Sequence, residues 1–129
     1  MAAKMEFKRG DGATATLRMP ATSWSPGGKL FFTAKQAVDD DLTDSSAKID
    51  VTFGDDVVTD EVYKGVAVKK YTCYFPAAAT NSINTEGADF VTLVGEFQYV
   101  PVTGDPITFP GRKDRIQVIV YADVRRKTV

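Results

Sequence analysis

Along most of the chain apolar side chains recur at every second position, the rhythm of a strand with one dry and one wet face. Ile49, Val51 and Phe53 alternate with Asp50 and Thr52. Leu30, Phe32 and Ala34 oppose Phe31, Thr33 and Lys35, while Val91, Leu93, Phe97 and Tyr99 alternate with Thr92, Glu96 and Gln98. Gly95 interrupts that last face, the mark of either a bulge or a close approach to the backbone. Ile116, Val118, Val120, Ala122 and Val124 share one parity, and Ile119 and Tyr121 join the other. That mixture predicts a strand whose middle is covered on both faces. Ala13 to Met19, short and rich in threonine, reads as an edge strand.

Between Val66 and Phe75 the parity slips. Val66 and Val68 are even, Tyr71, Cys73 and Phe75 are odd, and Lys69 and Lys70 sit at the junction. A one-residue slip reverses the faces, so the pattern predicts either a bulge at Lys69-Lys70 or a strand that changes partner there. Turn residues fall between the apolar runs, at Pro26-Gly27-Gly28, Gly54-Asp55-Asp56, Gly65, Gly104-Asp105-Pro106 and Pro110-Gly111 among others. Only Pro76 to Ile83 has helical character: a proline to open, then three alanines, enough for about two turns. Many short strands with this punctuation predict an all-β fold of about seven strands, an antiparallel sandwich of immunoglobulin-like type, as a single domain over residues 1–129.

Composition narrows the function classes. A chain of 129 residues with 43% hydrophobic and 26% charged residues is ordinary globular material, which argues against disorder. A net charge of −1 gives no whole-chain attraction to nucleic acid or anionic lipid, so neither is expected as a partner. The first nine residues hold no apolar run to serve as a signal-peptide core, and no stretch approaches the ~20 apolar residues of a membrane helix. The expectation is a soluble protein. Locally the charge is polarised: Asp39 to Glu61 holds nine acidic residues and one lysine, Arg112 to Lys127 six basic residues and two acidic ones. Such polarity steers association between copies or partners, or simply keeps loops and edges soluble.

The absence of histidine removes histidine-based triads, histidine-ligated metals and imidazole switches. Asp39-Asp40-Asp41-Leu42-Thr43-Asp44, with Asp50 beyond it, has the carboxylates of a calcium loop but neither the turn glycine nor the terminal glutamate. Arg9-Gly10-Asp11 matches an adhesion tripeptide, and a glycine-aspartate turn accounts for it equally well. Cys73 shares its face with Tyr71 and Phe75, which predicts a buried, inert thiol rather than a nucleophile. No phosphate loop, zinc spacing or hydrolase elbow is present, and a carboxylate pair in an aromatic cleft is not expected of so small a domain. No catalytic residue, metal or cofactor is therefore expected. Trp24, off the strand pattern, either plugs an end of the sandwich or anchors an interface.

The order of these features resembles the small immunoglobulin-like sandwich domain of tailed-phage virion proteins, in particular the N-terminal domain of upper baseplate proteins. The likeness rests on Phe7-Lys8-Arg9-Gly10-Asp11 before a threonine strand and Thr22-Ser23-Trp24 before the strand Lys29 to Gln36. It continues with Gly65-Val66-Ala67-Val68 leading into Tyr71 to Phe75, then Pro76-Ala77-Ala78-Ala79-Thr80, and ends at Ala122-Asp123-Val124-Arg125-Arg126. The resemblance implies a virion structural protein made in the host cytoplasm, without catalysis. It would be an adaptor of tail, baseplate or neck that binds other virion subunits and further copies of itself. Contacts are expected at Trp24, at Arg112, Lys113 and Arg115, and at Arg125, Arg126 and Lys127. A capsid decoration protein is the nearest alternative. A carbohydrate-binding or adhesion module is the other, and it needs exposed aromatics on one sheet face; beyond Trp24 and Phe109 the pattern marks few.

Overall fold

A computed structural model describes residues 4–36, 48–80, 83, 88–109 and 116–122. Among the described residues nine strands, against the seven or so expected, form two sheets: β1 (Lys4–Lys8), β2 (Ala13–Pro20), β3 (Lys29–Gln36), β4 (Ile49–Phe53), β5 (Val58–Tyr63), β6 (Val66–Phe75), β7 (Phe90–Val100), β8 (Ile107–Phe109) and β9 (Ile116–Tyr121). The larger sheet runs β1-β9-β7-β3-β4, with β8 also on β7, and the smaller runs β2-β6-β5. All pairings are antiparallel except β1 with β9. In immunoglobulin lettering the sheets read A′-G-F-C-C′ and B-E-D, so the predicted fold class holds. The three strands that alternation did not mark are β1, β5 and β8.

The two inner faces meet in one apolar cluster. Phe75, from the small sheet, stands edge-on to three phenylalanines of the large one: Phe7 at 5.2 Å, Phe32 at 5.2 Å and Phe53 at 5.4 Å between ring centroids. Phe32 leans in turn on Phe97 at 4.8 Å. Such tilted pairs align ring edges with ring faces and add to the burial energy. Gly95 is explained by this packing. Its ladders with β3 and β9 run without a bulge, and a Cβ there would lie 2.9 Å from both Phe32 Cζ and Val118 Cγ2.

The slip in β6 is not a bulge. Its register with β2 runs unbroken from Val68 to Phe75, and with β5 from Val66 to Tyr71. Nor does the partner change at the junction: Lys69 and Lys70 pair with β2 on one side and β5 on the other, and β5 ends only at Tyr71. Tyr71, Cys73 and Phe75 are buried on the inner side, whereas of the other parity Val66 is exposed and Val68 is buried. The expected helix is a single 3-10 turn, Ala77–Ala79, with Pro76 before it rather than inside it. Of the rest of that segment, Thr80 and Ile83 lie within the described residues, and both are buried. On β7, Phe97 pairs with Phe109 while Gly95, two positions earlier, pairs with Ile116, seven positions later. The step between β8 and β9 holds the basic run Arg112, Lys113 and Arg115, outside the described residues, as do Arg125, Arg126, Lys127 and the aspartates 39–44.

Candidate interaction surface

The polar side chains at the Trp24 end of the sandwich hold it shut. A 3-10 turn, Ala21–Ser23, follows Pro20 and turns the indole back over β6. The Trp24 ring N–H donates to the Tyr71 hydroxyl at 2.9 Å, and Lys69 Nζ stands 4.5 Å from the ring centroid. Lys69 is in turn paired with Asp60 at 2.5 Å. The Tyr99 hydroxyl donates to the Ser25 carbonyl at 2.7 Å and accepts from the Ser25 amide at 3.0 Å, while the Gly27 amide donates to Asp55 at 2.8 Å. A half-buried ring with its N–H satisfied and one face under an ammonium is a plug. Any contact Trp24 makes with another chain goes through the part that Lys69 leaves uncovered.

Arg9, Gly10 and Cys73 serve the fold. Gly10 takes a φ of +85° in the turn between β1 and β2, and its amide donates to the buried Thr80 hydroxyl at 3.1 Å. Arg9 Nη1 donates to the Ile83 carbonyl at 2.8 Å, so the tripeptide's guanidinium is engaged inside the domain. Cys73 is fully buried, and burial pushes its thiol up to about 12. Burial likewise pushes Tyr71 up to about 12, against the pull of the Trp24 hydrogen bond. Lys70 points away from Cys73, as alternation requires, and lies 4.0 Å from Glu61 on the outer face. Among the described residues no three acidic or thiol side chains gather as metal ligands.

Among the described residues exposed apolar side chains gather in two places, with Val102 standing apart from both. The β5–β6 hairpin closes on Lys64-Gly65 with φ of +52° and +80°, the geometry of a type I′ turn. Around it Val62, Tyr63 and Val66 are 74%, 40% and 55% exposed. Val62 has the inner parity of β5, yet the opposing sheet does not cover it. Arg18 lies 4.3 Å over the Tyr63 ring and bonds Glu61 at 2.5 Å; that hydrogen bond holds the Glu61 carboxyl below its ordinary range. Nearby on the same outer face stand Tyr74 and the exposed threonines Thr14, Thr16, Thr59 and Thr72.

The second place is the outer face of the large sheet. Phe90 and Tyr121 are register partners with ring centroids 6.0 Å apart and planes tilted by 56°. The Tyr121 hydroxyl donates to Glu6 at 2.5 Å, which raises its pKa. Exposed aromatics are thus present, but not where the pattern marked them. Trp24 and Phe109 are half-buried against the core, whereas Phe90, Tyr121, Tyr63 and Tyr74 face outward. Parity alone does not reveal this, because an outward tyrosine in a two-residue rhythm looks like an inward one shifted by a single position. No protein-family model matches the chain, and a search of curated proteins likewise found no match.

Proposed function

We propose that the chain is a structural subunit of a tailed-phage particle, an adaptor of the tail, baseplate or neck that joins neighbouring subunits through its sheet faces and edges. Support comes from the order of the sequence motifs together with the immunoglobulin-like strand order they occupy. The observation that carries the binding half of the reading is the exposed apolar set on two separate surfaces: Val62, Tyr63 and Val66 on the hairpin, Phe90 and Tyr121 on the large sheet. Exposed side chains of this size, set beside charged and hydroxyl groups, are the raw material of protein interfaces. Antibody labelling of purified particles in the electron microscope tests the reading. Label at the tail or neck supports it, label over the shell transfers the subunit to the decoration class, and particles without the protein overturn both.

A second reading is favoured by Phe90 and Tyr121. Two aromatics on one sheet face, with Glu6 as a hydrogen-bonding group beside them, are what a carbohydrate-binding module requires. Glycan-array binding abolished by Tyr121→Ala would favour it over a purely structural role.

A further inference from the structure

The two sheets expose four lateral edges, and three of them are guarded. β1 alternates Lys4, Glu6 and Lys8 along its length; β4 is five residues long, carries Asp50 and runs into Asp55-Asp56; β5 carries Asp60 and Glu61. Charges and short length are the usual devices against edge-to-edge pairing. β2 has neither over Ala13-Thr14-Ala15-Thr16-Leu17, the first five of its eight residues, and its register with β6 is unbroken by any bulge. β1 turns to β9 rather than to β2, so no described strand lies along the outer edge of β2. The inward side chains Ala13, Ala15 and Leu17 are consequently only half-buried, an open lip of the core.

We infer that this edge pairs with the same edge of a second copy, antiparallel about a two-fold axis at Ala15, joining two three-stranded sheets into one of six strands. The sequence is self-complementary in that arrangement. On the outer face Thr14 meets Thr16 of the second copy. On the inner face Ala13 meets Leu17 of the second copy, covering the apolar lip. The first charge met along the strand, Arg18, falls opposite Gly12 of the second copy, so no like charges meet across the axis. An unrelated strand would have no such match built in. This pairing rests on the subunit reading only for its biological use; the contact itself is read from β2.

Thr14 and Thr16 are exposed on the outer face, so charged replacements there leave the core intact. Thr14→Lys with Thr16→Lys sets lysine against lysine twice across the axis, while Thr14→Lys with Thr16→Glu sets lysine against glutamate. Sedimentation equilibrium of the full chain is expected to show dimers for the native sequence. The dissociation constant should rise by about tenfold or more in the double-lysine variant, and dimerisation should be retained in the lysine–glutamate variant. A native chain that stays monomeric at its highest soluble concentration overturns the inference. So does self-association equal in all three proteins, which would still leave the subunit reading standing; absence of the protein from purified particles would remove that reading and leave the edge contact.

Discussion

β6 has two faces, and they do different work. Inward it carries Tyr71, Cys73 and Phe75, all at most 1% exposed; outward it carries Val66, Thr72 and Tyr74, of which Val66 and Tyr74 are more than half exposed. The two tyrosines are three positions apart in one strand. Tyr71 takes a hydrogen bond from Trp24 beneath the loop that caps the core, whereas Tyr74 stands opposite Thr14 on the open surface. One strand therefore supplies both the stability of the sandwich and part of its exposed outer surface. Substitutions on the two faces should separate cleanly.

The largest effect belongs to Phe75→Ala, because that ring is the shared neighbour of Phe7, Phe32 and Phe53. A loss of about 3–5 kcal/mol is expected in urea unfolding, the range for emptying a buried phenylalanine site. A loss below about 1 kcal/mol would mean that the sheets are not held together there.

Alkali should act on the same face. Burial raises Cys73 from 9.0 to about 12 and Tyr71 from 10.0 to about 12, so the folded state keeps protons that the unfolded chain gives up. The stabilisation is fully present below pH 9, and it is lost progressively as pH rises toward about 12. Thermal midpoints measured across that window should fall more steeply for the native chain than for Cys73→Val. Consistent with the same burial, Cys73 should react with a thiol reagent only as fast as the domain unfolds.

Trp24→Phe comes next. It keeps the apolar plug but removes the donor to Tyr71, leaving a part-buried hydroxyl without that partner, and a cost of about 1–2 kcal/mol is expected. On the outer face, Tyr74→Ser should change unfolding free energy by no more than about 0.5 kcal/mol, as surface substitutions usually do. A large loss of stability there would break the division between the faces.

Much of the architecture is legible in the sequence. The inward sets of β3, β4, β7 and β9 are the residues that alternation marks, and the burial of Cys73 follows from its parity with Tyr71 and Phe75. The strands that escaped have physical reasons for doing so. β5 repeats its half-buried positions every three residues, at Val58 and Glu61, because it is an edge strand whose far end runs past the opposing sheet. β8 is three residues long, too short for a rhythm. The apparent slip in β6 arises from Val66 and Val68, apolar residues of the outward parity, the first exposed and the second buried, in a strand whose register is unbroken.

Residue type and local period are enough to fix the all-β class, the inward sets of most strands and the exclusion of histidine chemistry. It takes the packed sheets to show which aromatics stand in water, which edge lacks charge beside an open core, and that Gly95 yields its space to Phe32 and Val118. Those properties depend on what the opposite sheet covers. That is set by contacts between residues far apart in the chain, which no local pattern records.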